Sequence, residues 1–184
     1  MNIFILNEDP VKAAQQQCDK HIVKMILESA QMLSTAHRVL DGTMCKVPSK
    51  SGKTMVKSWV LPDNRDALLY KAVHVHHPCT VWTCESLSNY AWHYEHFQAL
   101  SIEYEYRYQK KHKSWVDLEY ALSIPPKNIP NIGPTPFKLA MGAEPDCIDE
   151  SDPVGSYRKF YQTKQSRFKM AWTKREVPEW FEAT

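Results

Sequence analysis

The chain has 184 residues, a formal net charge of +2 and 24% charged side chains, which excludes two ordinary domains and places any nucleic-acid surface in local clusters rather than in the overall charge. Six Trp, nine Tyr and six Phe against five Gly predict a mainly α protein, a compact helical single domain over residues 1–184 with aromatic packing or stacking surfaces. Five cysteines without regular spacing, no leader-like start in MNIFILNEDP and no apolar run of bilayer length predict an intracellular, reduced protein with no membrane partner.

Ile3 to Leu6 read as a short strand-like segment, stopped by Asn7, Glu8, Asp9 and Pro10, where Asp9 can cap a first helix and Pro10 open it. From Cys18 to Leu40 follows CDKHIVKMILESAQMLSTAHRVL. At 100° per residue, His21, Lys24, Glu28, Gln31, Thr35 and Arg38 share one face of this helix. Ile22, Val23, Met25, Ile26, Leu27, Ala30, Leu33, Ala36 and Leu40 surround them with an arc wider than a surface helix needs. The polar stripe either meets solvent or lines a cleft. In a cleft its carboxylate could activate water or stabilise an oxocarbenium-like sugar, its imidazole move protons and its guanidinium hold a phosphate.

Residues 41–66 turn polar and lysine-rich and are expected to form a mobile basic loop able to touch a polyanion. Its SGKT lacks the upstream glycine and the preceding strand of a phosphate-binding loop. His74, His76 and His77 crowd in front of Pro78. No cysteine or carboxylate stands at a zinc spacing beside them, so no metal is expected, and His76 and His77 are read as hydrogen-bonding or phosphate-contacting groups. Val81 to Tyr108 contains neither Gly nor Pro and should be the longest helix, mostly scaffold, with Glu103 and Arg107 spaced for an ion pair. A short helix over 115–122 precedes a proline-rich loop, 123–151, whose Ile124, Ile129, Ile132, Phe137 and Met141 predict that it wraps the domain. Asp152 and Pro153 open a last, basic helix running to Trp172, in which Lys164 and Arg167 among aromatics form a candidate nucleic-acid face. The aromatic tail should dock back on the fold.

The pattern MNIF, DP, AAQ, CDKH, VKMILE, AQ, LSTAHR, HP, W, NY and a closing W, KR and PEW resembles a family of small, uncharacterised bacteriophage proteins over most of the chain, which implies the cytoplasm of the infected bacterial host. A fainter similarity is to the phage pyrimidine-dimer DNA glycosylases. It is carried by the order of a short N-terminal run, an acidic helix, His77 followed by Trp82, and a helix ending in Glu103 and Arg107. The resemblance implies a catalytic role for Glu28, a binding role for Arg38, and an imine formed by the amine at the chain start. Their nucleophile is a small residue exposed when Met1 is removed, whereas Asn2 is large enough to retain Met1. An imine would then fall to Lys24 or Lys20, beside Glu28 and His21.

These readings converge on His21, Lys24, Glu28 and Asp19 as catalytic candidates, Asp19 pairing with His21 as acid and base. Gln31, Arg38, His76, His77, Trp82, Lys164 and Arg167 are the substrate-binding candidates, Trp82 as a platform for an extruded base. The expected partner is DNA or a nucleotide, with no cofactor, and the oligomeric state is open. Three functions fit: a glycosylase acting on a damaged or modified base, a transferase adding an amine or amino acid to an activated pyrimidine, and a non-catalytic nucleic-acid binder.

Overall fold

The computed structural model describes residues 1–183. It is mainly α, built around one helix, α2 (Asp19–Asp41), against which α4 (Pro78–Glu85), α5 (Leu87–Tyr108) and α6 (Lys113–Ser123) pack. A short α1 (Pro10–Gln15) precedes α2 and lies on α5; α3 (Arg65–Leu68) and α7 (Pro153–Gln162) complete the helices. Asp9 caps α1 through its carboxylate and Pro10 takes the first turn, as the residues predict. Among the described residues no helix is long and apolar enough to cross a membrane.

α2 ends where it must. Gly42 donates its N–H to Arg38 O, and a Cβ at Gly42 would stand 2.5 Å from that oxygen, so the chain can turn away here only as glycine. Most of the apolar arc of α2 is buried, although Val23 and Leu27 remain 44% and 40% exposed. The core joins Ile22, Ile26 and Leu33 of α2 to Phe97 and Leu100 of α5, Tyr157 and Tyr161 of α7 and the N-terminal run Ile3 to Leu6. That run pairs with no strand. It is an extended, buried segment bent at Phe4, whose φ of 55° is unusual for a residue with a side chain.

Three expectations change. Residues 43–60, inside the segment expected to be a mobile loop, form an antiparallel hairpin of β1 (Thr43–Pro48) and β2 (Met55–Val60), with SGKT in its turn region and no helix after it, the wrong setting for a phosphate-binding loop. The helix expected from Val81 is two: Ser86 is extended and its hydroxyl caps α5 at the Asn89 N–H, a local bond that competes with helix continuation. The last helix stops at Gln162 and continues only as a 3₁₀ turn, Thr163–Ser166.

The proline-rich segment wraps the domain. Pro130 O accepts the Leu87 N–H, Thr135 exchanges hydrogen bonds with Asn89, and Met141 is buried, while Ile124 and Ile132 stay exposed. Its Ala140 O reaches the Asn2 side chain and so fixes the chain start. The tail docks through Trp172, Trp180 and Phe181, and Arg175 pairs with the buried Glu103 at 2.9 Å.

Candidate active site

Three segments far apart in sequence meet over the N-terminal half of α2. The buried run 1–6 lies beside it, α7 and its 3₁₀ extension flank it, and Ala140 closes one side. Between them opens a pocket of about 270 Å³ lined by Met1, Asn2, Phe4, His21, Lys24, Glu28, Phe160, Lys164, Arg167 and Phe168, with Met25 beneath.

Glu28 is 8% exposed and, among the described residues, is the sole carboxylate lining the pocket. Its Oε2 accepts the Asn2 backbone N–H at 2.9 Å and lies 3.7 Å from the Met1 amine; its Oε1 lies 3.2 Å from Lys24 Nζ. Asn2 side-chain oxygen in turn accepts the Phe4 N–H, which holds the chain start along the carboxylate. The left-handed bend at Phe4 belongs to the same arrangement, because the Phe4 ring packs 4.6 Å from the His21 ring. Backbone strain of this kind persists only where surrounding contacts enforce it, and it recurs at functional sites.

His21 is held from behind. The Cys18 N–H donates to the Tyr161 hydroxyl oxygen at 2.9 Å, and the same hydroxyl stands 2.6 Å from His21 Nδ1. The two groups share one hydrogen bond, whose direction follows the imidazole tautomer. Burial first, then the charges of Lys24 and Lys164, lower the His21 pKa to about 4. At neutral pH His21 is therefore a neutral imidazole in the pocket wall.

Around the single carboxylate stand four cations: the Met1 amine, Lys24, Lys164 and Arg167. Lys164 is 6% exposed and its ammonium lies 3.4 Å from the centroid of Phe160; burial and Arg167 lower its pKa. This excess of positive charge favours an anionic ligand. The exposed Arg167 and the aromatic face of Phe168 continue the same wall.

Of the sequence candidates, His21, Lys24, Glu28, Lys164 and Arg167 come together in this pocket. Gln31 is half-buried one turn beyond Glu28, outside the lining. His77 caps α4 by accepting the Cys79 N–H, and burial, then the Met1 ammonium, lower its pKa; His76 is exposed. Three candidates are corrected by their contacts. Asp19 faces away from His21, accepting from Arg107 at 2.9 Å and from Thr173 at 2.7 Å, and so ties α5 and the tail to the start of α2. Arg38 is fully buried, and its guanidinium donates to the carbonyls of Tyr70, Trp59, Asp66 and Leu69 and to Asp66 Oδ1, which leaves no donor for a phosphate. Trp82 is buried against Trp92 and Phe137 with its N–H on Thr135 O, so it has no face for a base. Lys20 lies over the outer side of Phe168 and does not line the pocket. Among the described residues no group of three His, Cys, Asp or Glu is placed to hold a metal ion.

Sequence reasoning missed Asn2, Phe4 and Tyr161, and it passed over the Met1 amine for a lysine. Nothing periodic marks them: the path of the first six residues along α2 brings Met1 and Asn2 to Glu28, and the packing of α7 brings Tyr161 to His21. The chain matches no family model, no curated protein and no solved structure.

Proposed function

We propose that the protein is a DNA-acting enzyme of the glycosylase type, cleaving the N-glycosidic bond of a damaged or modified base through an imine. One juxtaposition supports this reading: the Met1 amine lies 3.7 Å from the buried carboxylate of Glu28 in a pocket with three further cations. Glu28 Oε2 is placed to take the proton that the Met1 amine must give up before it attacks. Lys24, with a side chain 65% exposed, is the poorer nucleophile of the two.

In the proposed reaction the amine lone pair attacks C1′ of the sugar as the bond from C1′ to the base nitrogen breaks, and the base leaves with that electron pair and takes a proton from water. The Glu28 carboxylate faces the positive charge that grows on the sugar. Loss of the amine proton and opening of the sugar ring give the imine, and water then releases the abasic aldehyde and restores the amine. Lys164 and Arg167 would hold the flanking phosphates, and Phe168 and Phe160 supply apolar surface for an extruded nucleotide.

A transferase is the second reading, favoured by the pair Lys164 and Arg167, which would suit a pyrophosphate on an activated pyrimidine.

Incubation with normal, irradiated and base-modified duplexes, with borohydride present, tests the first reading. A covalent adduct mapped to Met1 by peptide mass spectrometry, together with released base, is the expected result; Glu28→Gln should abolish base release, by about a hundredfold or more, in a protein that still folds. Neither adduct nor released base from any duplex would exclude it, and incorporation of an added amine into a pyrophosphorylated base would establish the transferase.

A further inference from the structure

The β1–β2 hairpin is unlike the rest of the molecule. None of its residues from Thr43 to Val60 is buried, although a two-stranded hairpin is marginal in water without a covered face. Within those bounds stand four lysines, Lys46, Lys50, Lys53 and Lys57, and no aspartate or glutamate. None of the four makes an ion pair among the described residues.

The register sharpens the point. Met44 faces Trp59, Lys46 faces Lys57 and Pro48 faces Met55, so one side of the ribbon carries the paired lysines with apolar groups around them. The other side pairs Thr43 with Val60, Cys45 with Ser58 and Val47 with Val56 and has no charge. Like charges directly opposite on one face destabilise a hairpin. Two lysines opposed, two more in or beside its turn and no acid within the ribbon form a surface whose self-repulsion a row of phosphates would relieve.

The ribbon is also tied to the helix that carries the pocket. Gly42 begins it, and Trp59 O accepts from Arg38 at 2.8 Å. Glu28 and Asp41, the last residue of α2, are separated by thirteen helical steps, about 20 Å along the axis, or about six base-pair steps of a duplex.

We propose that this hairpin is a DNA-binding arm, gripping the phosphate backbone of a duplex about six base pairs from the nucleotide in the pocket. A two-stranded ribbon fits the major groove of B-form DNA. The arm makes the substrate a polymer, since a free nucleotide cannot span both contacts; the proposal rests on the reading that the pocket takes DNA.

The test is fluorescence anisotropy with a labelled duplex of more than two helical turns, comparing the wild type with the double variants Lys46→Ala/Lys57→Ala and Lys50→Ala/Lys53→Ala. Circular dichroism melting checks that each variant is folded. Each pair is expected to weaken binding about tenfold or more at about 0.1 M salt and to flatten the slope of log affinity against log salt by about two. Unchanged affinity and slope in both variants overturn the arm, as does a wild-type protein that binds no duplex, or one that binds anionic phospholipid vesicles and not the duplex. The two proposals fail separately: base release with hairpin-independent binding removes the arm alone, whereas hairpin-dependent binding with no adduct and no released base removes the glycosidic reading alone.

Discussion

The two halves of α2 carry the same kind of side chains and do different things. His21, Lys24 and Glu28 open on a pocket, while Thr35, His37 and Arg38, two to three turns further on, are sealed beneath the segment from Trp59 to Val73. Thr35 accepts the Val73 N–H, and Arg38 spends its guanidinium on that segment's carbonyls. A polar stripe on a helix is therefore a site only where nothing folds back over it. In the sealed half the same chemistry satisfies backbone groups that would otherwise be buried without partners.

Breaking the sealed half should have the largest effect. Arg38→Ala leaves Asp66 and four carbonyls without their donor and is expected to destabilise the fold by about 3–5 kcal/mol, measured by urea unfolding; a loss below about 1 kcal/mol would mean that the seal is dispensable. Acid should act on both halves alike. His21 and His37 have pKa values lowered to about 4, in each case first by burial, so between pH 6.5 and 4 the unfolded chain binds the protons and the folded one does not. Stability is full above about pH 6.5 and falls as the pH drops toward 4, by no more than roughly 3 kcal/mol for each histidine. Melting temperature against pH should show this decline, and His37→Gln should make it shallower; a profile flat to pH 4 would contradict the buried neutral imidazoles.

A smaller effect separates the halves. Tyr161→Phe removes the partner of His21 Nδ1 and of the Cys18 N–H and should cost about 1–3 kcal/mol of stability. Nitrogen NMR should also show the balance of His21 tautomers shifting, while that of His37, bonded to Tyr90 at 2.9 Å, stays unchanged. Lys24→Ala should be the mildest, within about 0.5 kcal/mol, because the Lys24 ammonium is largely solvated and its i,i+4 pair with Glu28 is weak. Base release that survives in this variant would leave the Met1 amine as nucleophile, and its complete loss would transfer that role to Lys24.

Much of the fold was legible in the residues because the signals were local. Asp9 and Pro10 mark the start of α1, a run of 23 residues without Gly or Pro makes up α2, and the prolines of 123–151 keep an α-helix from forming there while spaced apolar residues anchor part of it. The hairpin was not, because its strands show no clean alternation of buried and exposed residues to announce them: nothing in β1 or β2 is buried. The break at Ser86 hung on one hydroxyl choosing a backbone N–H over helical continuation.

By itself the sequence determined that one face of α2 would carry His21, Lys24, Glu28 and Arg38, since a 3.6-residue period leaves no alternative once the segment is helical. Only the tertiary structure decided which of them would open on a pocket. Whether Arg38 reaches a phosphate depends on where residues 59–73 lie, and whether Glu28 has an amine beside it depends on the path of residues 1–6, held by Asn2 against Ala140. Both are contacts between segments distant along the chain, and no local spacing encodes them.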